Sequence, residues 1–277
     1  VTLLAIPFPV IDPVLLSLGP IQIHWYAIAY IVGILLAWFY TKRLANKASL
    51  WPKETSPMSA IALDDFVLWA TLGIILGGRL GYVLFYNLDA YLANPSQIFA
   101  VWNGGMAFHG GFLGVTLAMI LFAYKRSVPI LSMFDLVAMA APIGLLFGRI
   151  ANFINSELWG RTTDMPWGII FPNGGPEPRH PSQLYEAALE GLLMFILLRI
   201  LSHSTLALKK PGTVAGTFAI LYGIFRSLIE LVRVPDVQLG YLSFGTTMGM
   251  WLSAPMVLAG ILMILYAQRK SSGSVNS

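Results

Sequence analysis

Arg149 and Asn152 stand three residues apart where an apolar run from Met133 to Phe147 ends, inside the segment Gly148-Arg149-Ile150-Ala151-Asn152-Phe153-Ile154-Asn155-Ser156-Glu157-Leu158-Trp159-Gly160-Arg161. A three-residue step puts both side chains on one helical face. A second stripe, Tyr222, Arg226, Glu230 and Arg233, advances by four, four and three along another helix. An arginine in an apolar span costs roughly 2.5–3.5 kcal/mol on insertion scales, so it marks a cavity that holds something. Its planar fork donates two parallel hydrogen bonds, which suits phosphate. Glu157 and Glu230 are placed to hold the forks and reduce the cost of burying them. The competing reading is an intramembrane ion-pair network with a structural task only.

His109 stands in the glycine-rich block Gly104-Gly105-Met106-Ala107-Phe108-His109-Gly110-Gly111-Phe112-Leu113-Gly114. The missing side chains let a lipid headgroup or a backbone approach the imidazole; a helix-packing histidine fits the same position. Arg79 is also open to two readings. It joins the polar set, yet Gly73, Gly77, Gly78 and Gly81 around it are what close helix packing requires. Of the other histidines, His24 reads as interfacial and His203 as a solvated inner-loop residue. His180 opens His180-Pro181-Ser182-Gln183-Leu184-Tyr185-Glu186, where Gln183, Glu186 and Glu190 share helical spacing and Tyr185 and Glu186 read as interface anchors. No histidine pair has metal-ligand spacing, and neither a phosphate loop nor a dinucleotide fingerprint occurs. The expected chemistry therefore uses no metal and no cofactor. Cysteine is absent from the 277 residues, which excludes disulfides, thiolate metal sites and a cysteine nucleophile.

The elements that position these groups are membrane helices. The chain is 57% apolar and only 11% charged, against about 25% charged in a soluble domain, and its mean hydropathy is +0.72. Spans of about 20 residues fall near 24–41, 62–86, 105–124, 133–151, 183–201, 213–232 and 247–267, which predicts an all-α polytopic membrane protein of seven helices. Residues 1–277 form one integral membrane domain in this reading. Residues 1–23 form an outer interfacial arm, because the first 24 residues hold no Lys or Arg and are broken by Pro7, Pro9, Pro13 and Pro20, unlike a secretory signal. The net charge of +4 does not point to nucleic acid, since the basic residues sit in short loops.

Those loops set the orientation. Eleven Lys and Arg fall in one set of loops and Arg161, Arg179 and Arg233 in the opposite set, while Arg79, Arg149 and Arg226 lie in or at the ends of spans. The N-terminus is thus expected outside and the C-terminus inside. Tyr26, Arg79, His109, Arg149, Asn152, Arg226 and Glu230 then converge at the outer ends of their helices. The loop 152–182, rich in glycine and proline, is long enough to cap them.

Taken together, His24-Trp25-Tyr26, the Gly105 to Gly114 block, the Gly148 to Arg161 segment, His180 to Glu186 and Tyr222-Gly223-Ile224-Phe225-Arg226 through Asp236 resemble the bacterial phosphatidylglycerol–prolipoprotein diacylglyceryl transferases. The resemblance covers essentially the whole chain. It implies an inner-membrane enzyme with its site facing the periplasm. Such an enzyme moves the diacylglyceryl group of phosphatidylglycerol to the lipobox cysteine of a prolipoprotein, forming a thioether and releasing glycerol phosphate. Its partners are that lipid, prolipoprotein signal peptides and the surrounding membrane lipids. His109, Arg149 and Arg226 are then the catalytic candidates; Arg149, Asn152, Glu157, Tyr26, Tyr222, Glu230 and Arg233 bind the substrate. His109 takes the thiol proton or positions the headgroup, and both roles fit. One departure is Met250, where the family usually has Gln after the glycine, which removes a polar group from that position. A transporter would also bury Arg, Glu and His. The hydropathy pattern shows no internal repeat, however, and the polar groups gather on one side. A non-catalytic lipid-binding member would not keep Arg149, Asn152, Glu157, His109 and Arg226 together.

Overall fold

Long runs of Leu, Ile, Val, Ala and Gly with few interior charges make helices the only local solution that satisfies every backbone group in lipid. The computed structural model describes residues 5–9, 11–19, 21–101, 104–235 and 240–273 and is mostly helical; residues 1–4, 10 and 20 of the expected arm, and Asp236, lie outside the described residues. Five helices among the described residues are long and apolar enough to cross a membrane: Trp25–Asn46, Ala60–Tyr86, Ile130–Ile154, Thr213–Glu230 and Met248–Lys270. The apolar stretch of Ala60–Tyr86 is only 6% buried within the protein, as a helix facing lipid should be. The expected third span is shorter, with His109–Lys125 as its apolar part. The expected fifth is a composite rod: α6 (Ser182–Glu186), a π-helical turn (Ala187–Leu193) and α7 (Met194–Ser204). His203 lies in the last turn of α7, not in a loop, and its Nδ1 lies 2.9 Å from Ser202 Oγ.

The chain divides into two compact units, residues 1–41 with 135–277, and residues 42–134. In the first unit the arm is built of strands. β1 (Ile6–Pro7) pairs in parallel with β4 (Ile169–Ile170), and β2 (Val14–Leu18) forms a hairpin with β3 (Ile21–His24). The chain enters α1 (Trp25–Asn46) directly from β3. The loop after α5 (Ile130–Ile154) folds back on itself and on the end of α8 (Thr213–Glu230). Gly160 N donates to His180 O (2.8 Å), Arg161 N to Val232 O (2.8 Å) and His180 N to Arg161 O (3.0 Å). Phe8, Phe153 and Phe171 close a ring cluster beneath it, with centroids 5.3–6.0 Å apart.

Asp135 interrupts the run of apolar residues in α5, has no exposed surface and caps α8 from across the unit. Its oxygens accept from Gly212 N and Ala215 N, each at 2.7 Å. The first amides of a helix have no partner of their own, and in lipid each orphan costs several kcal/mol. Small residues bring α8 against α9 (Met248–Gly273): a Cβ added at Gly216 would stand 2.6 Å from Gly260 O.

In the second unit α2 (Ala60–Tyr86) packs on α4 (Phe108–Lys125) through glycine stripes at four-residue spacing. A Cβ on Gly73 would meet Ala118 Cβ at 2.8 Å, and one on Gly81 would meet Gly110 Cα at 2.8 Å. Backbones can approach this closely only where side chains are absent. Gly110 and Gly114 therefore serve the α2 interface and not access of a headgroup to His109. At the other end of this unit Lys42 Nζ lies 3.0 Å from Asp64 Oδ1, and Arg126 pairs with Asp65.

Candidate active site

Glu186 closes α6 and Glu190 lies in the π-helical turn that follows, and such turns recur at functional sites. Neither side chain has exposed surface. Glu186 is the hub. Its Oε1 accepts from Arg226 Nη1 at 3.0 Å and from Arg233 Nη1 at 2.8 Å, and its Oε2 lies 2.6 Å from Arg149 Nε. One carboxylate thus ties α5, the α6 rod and the end of α8. The reading of Glu186 as an interface anchor is corrected by this burial: an acid there persists only because three cations answer it. Arg226 Nη2 also meets Glu230 Oε1 at 2.5 Å, one turn further along α8, and Glu190 Oε2 lies 3.8 Å from Arg149 Nη2.

Exposure is unequal within this network. The glutamate side chains are 0–4% exposed, whereas those of Arg149, Arg226 and Arg233 are 18%, 16% and 12% exposed. The acids are buried, and the three arginine side chains keep some accessible surface. Each guanidinium carries five N–H donors, and the glutamates occupy only part of that set. Tyr222 lies one turn before Arg226 on α8, with its ring 6.0 Å from that of Phe218. Gly249 of α9 leaves room for Glu230: a Cβ there would collide with the carboxylate.

A second patch extends the same face of α5. Asn152 is buried, and its Nδ2 donates to Glu157 Oε1 at 2.7 Å and to Tyr26 OH at 3.4 Å. Tyr26 packs against Tyr30 with ring centroids 5.0 Å apart. Glu157 therefore holds an amide, not an arginine fork, and only Glu230 does what both acids were expected to do. Gln183 Nε2 donates to Glu157 O at 2.5 Å and Ser182 Oγ to Leu158 O at 2.8 Å, so the start of α6 fixes the loop that presents Glu157.

The cap above carries its own fastenings. Arg161 Nε donates to Arg233 O at 2.8 Å and its Nη2 to Glu230 O at 3.0 Å, while Arg179 lies over the Trp159 ring at 4.2 Å. His180 Nδ1 lies 3.2 Å from Tyr185 OH, which accepts from Trp167 Nε1 at 2.7 Å. Burial, and then the charge of Arg161, hold the His180 imidazole below its ordinary value.

Of the expected residues, the first unit thus gathers Arg149, Asn152, Glu157, Tyr26, Tyr222, Arg226, Glu230 and Arg233. His109 belongs to the second unit, where it is exposed as the second residue of α4. Arg79 is occupied by backbone carbonyls of its own unit. Met250 lines a groove of about 300 Å³ with Gly223, Ser227 and Val257, and has no polar role. Glu186 and Glu190 are the additions, and their four-residue step inside an apolar segment was the available signal for both.

This network of arginines on buried glutamates stands in a chain of membrane helices, and comparison with known proteins says what the chain is similar to. Residues 13–266 match the family model described as prolipoprotein diacylglyceryl transferase. A phosphatidylglycerol--prolipoprotein diacylglyceryl transferase of Agrobacterium fabrum is 59% identical over 95% of this chain and 94% of its own length. Proteins of the same name from Mesorhizobium japonicum and Rhizobium leguminosarum bv. trifolii are 60% and 56% identical, covering 94% and 98% of this chain and 91% and 97% of their own. With its membrane helices, its arginine network and this similarity along nearly its full length, the chain belongs to the prolipoprotein diacylglyceryl transferase family.

Proposed function

We propose that this protein transfers the diacylglyceryl group of phosphatidylglycerol to the thiol of a lipobox cysteine in a prolipoprotein signal peptide, the first step of lipoprotein maturation. The observation that supports this reading is the gathering of three partly exposed arginines, Arg149, Arg226 and Arg233, on fully buried Glu186. The phosphate of the lipid docks on the forks of Arg149 and Arg226. The thiolate attacks the glyceryl carbon bonded to the phosphate oxygen, the C–S bond forms and that C–O bond breaks. Glycerol phosphate leaves with the bonding pair. Charge grows on the leaving oxygen, where fixed donors in a water-poor site act most strongly. Asn152, held between Glu157 and Tyr26, and Tyr222 orient the headgroup, while Glu230 keeps Arg226 aligned.

The nucleophile comes from the peptide, so a chain without cysteine can carry out sulfur chemistry. A free thiol titrates near about 8.5 and reacts as thiolate. His109 takes its proton or places the headgroup. The protein acts as one membrane domain with seven spans, N-terminus periplasmic and C-terminus cytoplasmic, in the bacterial inner membrane. Its cap, built from the loop after α5, faces the periplasm, because the basic residues gather on the opposite side.

Purified protein given phosphatidylglycerol labelled in its acyl chains and a synthetic lipobox peptide tests this reading. Label should move to the peptide in a bond that survives hydroxylamine, with glycerol phosphate released, and a Cys-to-Ser peptide should receive none. Folded protein that leaves both substrates unchanged would overturn it.

A further inference from the structure

Arg79 lies in α2, where a guanidinium is costly to bury, and its residue is only 4% exposed. Its donors reach five main-chain carbonyls of the connection between α3 (Leu88–Ala93) and α4. Nε donates to Ile98 O at 2.8 Å; Nη1 to Gly104 O at 2.5 Å and Gly105 O at 3.1 Å; Nη2 to Gln97 O at 2.5 Å and Ala100 O at 3.3 Å. The Tyr91 ring lies 5.1 Å from its Cζ. The turn is shaped around this side chain. Gly104 and Gly105 have φ of +79° and +78°, a region that glycine enters at little cost. A Cβ on Gly105 would stand 2.8 Å from both Arg79 Nη1 and Tyr82 Cε1.

Only Met106 and Ala107 separate this turn from α4. Ala107 N donates to Gly78 O at 2.9 Å, and the helix starts at Phe108 with His109 next. Two adjacent residues of α2 therefore fix both the turn and the first step into α4. We propose that Arg79 is a positioning residue: its carbonyl clamp sets where α4 begins and so where the His109 imidazole stands. The inference rests on the reading of His109 as part of the transfer site. A lysine ammonium has three donors on one atom and cannot span five carbonyls as the guanidinium does.

The test is a double-mutant cycle on transfer kinetics with Arg79→Lys, His109→Gln and both together, alongside hydrogen exchange of the amides at 97–107. Arg79→Lys should raise exchange in that segment and change KM for phosphatidylglycerol no more than His109→Gln does. It should lower kcat on the order of 10- to 100-fold, the scale of a small misplacement. The double variant should be no slower than His109→Gln alone. Gly105→Ala, which pushes a methyl into Arg79 Nη1, disturbs the same turn from the other side and should give the same pattern if Arg79→Lys fails to fold. Additive losses, an Arg79→Lys enzyme at wild-type rate, or slowed transfer without a change in exchange would each overturn the proposal. His109→Gln at wild-type rate overturns it together with the role of His109, whereas transfer by the unaltered protein leaves the transferase reading standing.

Discussion

Glu186 is held in place by charge. A carboxylate with no exposed surface survives because Arg149, Arg226 and Arg233 surround it at 2.6–3.0 Å. Removing the charge leaves three guanidinium groups facing a neutral amide. Glu186→Gln should therefore cost about 3–5 kcal/mol, the scale of a broken buried pair, and abolish transfer. Thermal unfolding in detergent checks this, and an unchanged melting temperature would show that the arginines do not depend on Glu186. His180 gives a pH prediction. Burial and Arg161 hold its imidazole below the ordinary 6.5, so the folded cap resists protonation. Its contribution to stability is complete above 6.5 and declines as the pH falls from there through the lowered value. Melting temperature should fall between neutral and mildly acidic pH, and less so in His180→Asn; identical profiles would remove His180 as the cause. Arg149, Asn152 and Arg226 were legible in the sequence because such groups are rare in apolar runs. Glu230 as a partner of Arg226 was legible too; Glu186 was not, because an acid one residue after Tyr185 at a helix start looks like an interface anchor until the fold brings α8 beside it.

At the scale of elements, composition and periodicity located the five long apolar helices but not what joins them. The α6 rod carries Glu186 and Glu190 and passes through a π-helical turn, which no hydropathy average reveals. The β1–β4 pair has two residues on each side, too few for an alternating pattern to register. The glycine stripes of α2 and α4 were visible as spacing, yet equally compatible with access to His109; only the packed helices decide between these. Gly114→Val tests that decision. A Cβ at Gly114 would stand 2.8 Å from Gly77 Cα, where backbone cannot yield, whereas Gly144 has open space around it. Gly114→Val should lose about 1–3 kcal/mol or more by overpacking, measured as a lower melting temperature and yield, with Gly144→Ala near wild type. Equal stability of the two variants would contradict the close α2–α4 packing.

For the whole molecule, function depends on which face of the membrane presents the arginine network. The absence of native cysteine gives a clean background: a cysteine at exposed Asn173 in the cap loop should react with an impermeant maleimide on intact spheroplasts, and one at exposed Lys210 only after lysis. The reverse order would put the site in the wrong leaflet for lipoprotein lipidation. In the proposed reaction the forks of Arg149 and Arg226, steadied by buried acids, stabilise the departing phosphate. The most direct measurement is the rate of thioether formation on a lipobox peptide by purified, folded wild type, Arg149→Lys and Arg226→Lys in phosphatidylglycerol nanodiscs. A lysine keeps the charge and loses the bidentate geometry, so each variant should be slower by about 10²–10³-fold, the range for removing a donor from a developing oxyanion. Near-normal rates from folded Arg149→Lys and Arg226→Lys would contradict the clamp.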